Sequence, residues 1–427
     1  MSVVDRAAEP AGGPREPVAP RSAWTNLTVV SAAHAVIHAT VVLMPLVYPI
    51  LQREYGFSYA QIGLLVGASS FVGGLLQLAF GYLGRYVARK TMIGVGNLFV
   101  GLAMFLTGTA TSYATFMAWT LLGRVAGAPQ HPVGSGLLTD SFVPRRRGFA
   151  LAAHVAGGNL GTLAVPLVGA ALIFHFGWRP TVMLFALPGL IAGTAVLLLA
   201  HEPAGMGNPA PRPAGTSRLA AFVEPLRHRG VLLIILASII ASGGRGVGVL
   251  TTYLPLYLSN GLRLPGTEVA LLFTLLLAGS VVGPLIAGRL SDTVGRRAML
   301  LVSYCSAALV TTALPLVTGF TVWLWPLVVV IALLGLTAYA ESPLLQAYLA
   351  DHAPERLKDA TFGWYFTLAF GVGSLWAAVL GWLIDHTGFA VTFWVMAGSY
   401  VLAGLVLLLV PAMPGRPAEP AGKAGPV

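Results

Sequence analysis

Apolar residues in this chain neither alternate with polar ones nor leave a polar stripe at helical spacing; they run on without interruption. Val231 to Ile240 and Leu327 to Leu336 contain no charged position at all. A helix made from such a run is apolar on every side, which suits lipid rather than water as its surroundings. Crossing a bilayer takes about 20 mostly apolar residues. Runs of that kind occupy 26–51, 58–83, 92–111, 114–139, 149–175 and 179–200. After a break they resume at 231–258, 267–290, 298–319, 322–349, 361–384 and 389–411. The pattern predicts an all-α membrane protein with twelve transmembrane helices. It divides the chain into a tail (1–25), a six-helix bundle (26–200), a linker (201–230), a second six-helix bundle (231–411) and a second tail (412–427). The linker is rich in Pro, Gly and Ala and too short for a catalytic domain, and its second part can form a short interfacial helix.

Composition agrees with lipid as the solvent. The 427 residues are 56% hydrophobic and 9% charged, against about 25% charged in an average soluble domain. The net charge of +10 does not point to nucleic acid, because the basic residues are scattered between apolar runs instead of gathered on one domain. Lys and Arg accumulate in cytoplasmic loops of membrane proteins. With the N-terminus inside, 20 of them fall on cytoplasmic segments and three (Arg53, Arg179 and Arg263) on outer loops. Both termini and the linker are therefore expected in the cytoplasm, with the protein in the cell (inner) membrane. The N-terminal segment has no apolar core or cleavage signal and reads as a disordered tail, not a signal peptide. The single cysteine, Cys305, lies in an apolar run, so no intrachain disulfide is expected.

The two bundles repeat one another. GYLGRYVARK (Gly81 to Lys90) after the second span matches GRLSDTVGRR (Gly288 to Arg297) after the eighth. Asp140 and Pro144 match Asp351 and Pro354, and HFGWRP at His175 matches HTGFAV at His386. All offsets lie near 210 residues, the mark of a duplicated six-helix unit. Parallel halves of this kind place a solute path on their shared axis at mid-membrane depth.

GRLSDTVGRR resembles the loop signature of the major facilitator superfamily, and the resemblance extends over nearly the whole chain apart from the tails. It implies a transporter working by alternating access. In that signature Asp292 would accept hydrogen bonds at a helix N-terminus and pair with Arg296, clamping neighbouring helix ends as a gate latch. The first-half copy departs from the pattern, with Arg85 where the family has Asp and Ala88 where it has Gly. Asp140 is then the nearest acid to neutralise Arg89, as Asp351 is the matching acid in the second half. The fifth span, GGNLGTLAVPLVGA, is similar to the glycine-proline signature of the family's antiporters at Gly161, Pro166 and Gly169, while Val165 and Ala170 replace two usual glycines. The first span and GAPQHPVGSGLL in the fourth resemble the fosmidomycin-resistance branch. That branch implies proton-coupled efflux of a small organic compound; proton-coupled uptake of an organic anion is the other reading.

Ionisable side chains inside spans cost about 2.5 to 3.5 kcal/mol each on insertion scales, so each should face a cavity or a partner. They are His34 and His38 in span 1, Arg124 and His131 in span 4, His154 in span 5, Arg245 in span 7 and Glu341 in span 10. Glu341 is the one carboxylate expected at mid-membrane depth, suited to binding a proton reversibly; pairing with Arg245 is the alternative. Arg245 in SGGRGVG and Arg124 can each hold an anionic solute through bidentate hydrogen bonds. His34 and His38, four apart on one helix face, and His131 beside Pro132 are candidates for solute or proton binding, whereas His154 reads as structural. Gln77, Asn97, Asn159, Tyr253, Gln346, Tyr365 and Trp376 can add polar or stacking contacts where they face inward. Two imidazoles without a nearby Cys, Asp or Glu make a poor zinc site, so neither a metal nor another cofactor is expected. No HExxH, GxSxG or P-loop is present, which argues against an enzyme and against ATP hydrolysis by this chain. The expected partners are a small solute, protons and the bilayer, with the protein acting as a monomer.

Overall fold

The computed structural model describes residues 20–84, 86–202, 223–320, 324–354 and 357–411. The expectations for the second tail, most of the first tail and of the linker, and for Arg85 and Arg356, lie outside the described residues. Among the described residues there is helix and no strand, and ten helices are long and apolar enough to cross a membrane. The 49-residue helix Ala360–Leu408 covers two of the apolar runs, and Gly388 (φ 82, ψ 177) breaks it between them. The run at 114–139 folds as two shorter helices, Tyr113–Gly127 and Gln130–Ser141. These two adjustments bring ten into line with twelve crossings.

Where the helices depart from regularity, local chemistry explains it. Proline cannot donate to the helical ladder and its ring presses on the carbonyl four residues back. Pro132 therefore bears on Ala128, which is where the fourth span breaks before Gln130. The tenth span breaks at the equivalent place, between Leu324–Ala338 and Glu341–His352. The seventh span unwinds after Ala241, through Arg245, to Gly248 at φ 95, a conformation open to glycine without strain. The first helix begins at Pro20, inside the segment assigned to the tail. Asn26 holds it there, donating to Ser141 Oγ (2.9 Å) and His201 O (2.8 Å) and accepting from His201 N (2.8 Å).

The duplication is visible in the backbone. Gly177 (φ 80) and Gly388 (φ 82) are 211 residues apart and make the same turn between spans. The two halves meet mainly through spans 2 and 11. Gly63, Gly67 and Gly74 of span 2 face Ala377, Ser374 and Gly371, with no room for a β-carbon at Gly63 or Gly67. Small residues let helix backbones approach in lipid, where packing replaces the hydrophobic drive between helices. Hydrogen bonds between the halves sit toward the end away from the termini. Asp385 accepts from Tyr59 N (3.0 Å) and Ala60 N (2.8 Å), the free donors that begin span 2. Asn260 donates to Gln52 Oε1 (2.5 Å), and Ser374 Oγ to Gly67 O (2.9 Å). Among the described residues no ion pair joins the halves at the terminal end.

Valine at Gly63 or Gly381 should wedge this seam apart. Overpacking costs about 1–3 kcal/mol, which is about 5- to 150-fold in the balance between states closed and open at that end. Thiol labelling of a cysteine at Gln61 should rise accordingly; unchanged labelling and transport would show that the seam need not close.

Candidate functional site

In the first half, imidazoles from three spans gather around His34. Its ring centroid lies 4.4 Å from that of His38, 4.9 Å from His131 and 4.4 Å from His154, the last stacked at 25°. The first span brings His34 and His38 to one face one helical turn apart. The break before Gln130 sets His131 in the first turn of the helix that follows. Gly158 makes room for the group, because a β-carbon there would fall 2.6 Å from His34 Cε1. His34 Nδ1 lies 3.1 Å from the His154 carbonyl. A carbonyl only accepts, so Nδ1 carries the proton and Nε2 presents its lone pair. That Nε2 is buried and has no hydrogen-bond partner. His34 and His154 are buried, His38 is half-buried and His131 is exposed. The cluster thus reaches from the packed interior to an accessible surface.

Arg124 stands seven residues before His131 on the fourth span, within electrostatic range of His38 and Tyr48. It is partly buried, and among the described residues no carboxylate stands within ion-pair distance of it. A guanidinium at that depth without a protein anion is satisfied by water or by an anion from outside.

The second half solves the same problem internally. Arg245 Nε donates to Glu341 Oε1 at 2.6 Å. Its Nη1 donates to Ala369 O (3.1 Å), and its Nη2 to Ser238 O (2.9 Å) and Ser238 Oγ (2.7 Å). The guanidinium also lies 4.9 Å from the centre of the Phe370 ring. Arg245 is 4% exposed and Glu341 1%. The pairing left as an alternative by the sequence is the arrangement found, and Arg245 has no face turned to a solute in this conformation. Local irregularity makes it possible: the unwound seventh span carries Arg245, and a wide π turn at Phe366–Gly371 leaves the Ala369 carbonyl free to accept.

Equivalent positions carry different chemistry in the two halves. Arg245 and Glu341 lie 211 residues after His34 and Gln130. Gln130 donates to Val30 O (3.0 Å) and accepts from Asn97 (3.3 Å), so a buried amide network stands where the second half has its ion pair. The first half therefore keeps an unpaired cation and an uncommitted imidazole, while its copy is locked.

Among the described residues, each half has one ion pair at the terminal end. Arg89 Nη1 lies 2.7 Å from Asp140 Oδ2, and the Arg89 guanidinium packs against Gly136. Arg296 pairs with Asp351 and donates to Ala347 O (3.1 Å). This corrects the expected Asp292–Arg296 latch. Gly295 (φ 89) turns the chain so that Arg296 opens the next helix and reaches the tenth span. Asp292 is exposed in the last turn of Gly266–Val294, at a helix C-terminus instead of an N-terminus.

Asp385, which ties the halves together, was missed by sequence reasoning, because it falls just past an apolar run and looks like an ordinary loop acid. Its place beside the repeated HTGF turn was the signal available.

A sequence profile of the Major Facilitator Superfamily matches residues 30–378 and 246–426. Among curated proteins, the chain is 26% identical over 413 residues to the fosmidomycin resistance protein of Escherichia coli (strain K12), covering 96% of this chain and 98% of that protein. It is 23% identical over 370 residues to a probable 4-methylmuconolactone transporter of Cupriavidus pinatubonensis, covering 84% of each. Two solved structures share the fold. One is a bacterial homologue of the human lysosomal transporter Spinster in an inward-facing, unoccupied conformation (TM-score 0.70, 16% identity, 92% of this chain and 96% of that one). The other is the nucleoside transporter NupG (TM-score 0.73, 12% identity, 91% and 98%).

Proposed function

Because the chain belongs to the major facilitator superfamily, we propose that it is a secondary transporter which exports a small organic anion in exchange for protons, by alternating access. The observation that carries the solute class is Arg124, a partly buried cation within a span, with no carboxylate in ion-pair reach among the described residues and with His38 within electrostatic range. His38 and His131 would share the solute with Arg124, and His34 would hold them in place. Glu341, locked to Arg245 here, would bind the coupling proton when that pair opens. Arg89 with Asp140 and Arg296 with Asp351 would brace the helix ends during closure. With both termini in the cytoplasm, a chain hydrogen-bonded across its halves at the opposite end is in an inward-facing state. Export is supported by the similarity to a resistance protein over nearly the full length of both chains. The protein would work as a monomer in the cell (inner) membrane.

Purified protein in vesicles given a pH step tests this, with a panel of labelled anions, sugars and neutral antimicrobials. Anions should move opposite to the proton gradient. Movement in the same direction as protons would make the protein a symporter, and movement of neutral solutes alone would remove Arg124 as the solute contact.

A further inference from the structure

We propose that His34, His38 and His131 form a binding site for a first-row divalent transition-metal ion of the Zn²⁺ or Co²⁺ class. One candidate ligand nitrogen from each residue lies within 4.8 Å of the other two. Sequence spacing gave only two imidazoles, too few for such a site; the break in the fourth span adds the third.

Three features make this more than a cluster. The first is orientation. His34 donates its Nδ1–H to the His154 carbonyl at 3.1 Å, the arrangement by which metal-binding histidines are fixed in tautomer and direction. The second is the free lone pair that results, at a buried Nε2 with no partner in a residue 2% exposed. The third is access, since His131 is exposed. Imidazole nitrogens bind Zn²⁺ at about 2.0–2.1 Å, so in tetrahedral geometry they stand about 3.4 Å apart. Observed separations of up to 4.8 Å require the rings to close inward by about an ångström, and the exposed His131 side chain has the freedom to do so. Three protein ligands leave a fourth position open, as in sites where a metal holds water or an exchangeable anion.

The surroundings set the character of the site. The groups facing it are His154 from the fifth span, stacked on His34, and Arg124 from the fourth, within electrostatic range of His38. Neither is an anion at neutral pH, and Arg124 repels a bare dication. The site therefore favours an ion whose open position carries an anionic donor, and it is weaker than a structural zinc site. Protons compete for the same imidazole nitrogens, so binding falls as the solution is acidified. This site depends neither on the direction of transport nor on the coupling proton.

The test uses tag-free, full-length protein in detergent, titrated with Co²⁺ and followed by its visible absorption, and with Zn²⁺ followed by equilibrium dialysis. One equivalent should bind, with the intense d–d bands of a four- or five-coordinate ion. His34→Gln, His38→Gln and His131→Gln should each weaken it by about 10- to 100-fold or more. His175→Gln, at an exposed histidine away from the cluster, should not. His131 is exposed, so its variant tests the site even if the buried His34 variant fails to fold. Octahedral Co²⁺ bands, absence of stoichiometric binding to the wild type, or binding unchanged in His131→Gln would each overturn the proposal.

Discussion

Glu341→Leu should leave a protein that extracts poorly and unfolds at markedly lower temperature, because it strands the Arg245 guanidinium in a dry interior. Removing one partner of a buried ion pair costs about 3–5 kcal/mol, a large part of the stability of most domains. The remaining bonds to Ser238 and Ala369 satisfy hydrogen-bonding groups without neutralising the charge. Replacing both partners, with Arg245→Met and Glu341→Leu together, should recover most of the loss, since apolar side chains of similar volume often substitute for such a pair without penalty. Glu341→Gln separates structure from coupling. It keeps an oxygen for Arg245 Nε but not the charge, so it should lose less stability than Glu341→Leu, and in the folded protein counterflow should persist while pH-driven transport disappears. Intact pH-driven transport in Glu341→Gln would leave the pair as a strut joining spans 7 and 10 and nothing more. Thermal unfolding in detergent and vesicle transport are the two measurements.

Arg124→Gln should act with the opposite sign on stability. Among the described residues no anion pairs with Arg124, so deleting the charge removes a desolvation cost and the melting temperature should hold or rise. Solute binding should suffer instead. Losing one partner of a buried charge pair costs about 2 kcal/mol or more, which is about 30-fold or more in Kd. Arg124→Lys keeps the charge and loses the planar fork, so its affinity should fall between the two. Equal affinity for an anionic solute in wild type and Arg124→Gln would place the solute elsewhere. Arg124→Gln and Glu341→Leu should therefore contrast, one sparing stability and losing solute, the other losing stability.

The spans were legible because each carries a long unbroken apolar run, and burial in lipid leaves no other reading of such runs. Their interruptions were less so. Gly388 turns the chain in a gap of four residues between two runs, and the unwound stretch around Arg245 looks in sequence like a Gly-rich helix. The charged and imidazole residues at depth stood out by type alone, since each is costly there. Their partners did not, because a pairing across two spans depends on helix rotation. Arg245 could be assigned equally to a solute or to Glu341, and only packing against Ser238 and Ala369 decides which it meets here. Arg296 shows the same limit. Its neighbour in sequence, Asp292, lay four positions away, yet the left-handed turn at Gly295 directs it to Asp351. Gly158 lay inside a quoted motif and Asp385 beside a repeated turn, but their roles did not follow from that; a missing β-carbon and a helix start become visible only in contact.

Alternating access is tested most directly by distances measured across both ends of the protein at once. With Cys305 replaced by serine, spin labels at Arg53 and Thr267 report the end closed by Asp385, and labels at Arg146 and Thr293 report the terminal end. All four positions are exposed. Adding a transported anion, or changing pH, should lengthen the first distance while shortening the second, in the same fraction of molecules. Two distances that stay fixed, or that lengthen together, would contradict a carrier whose halves rock about a central site.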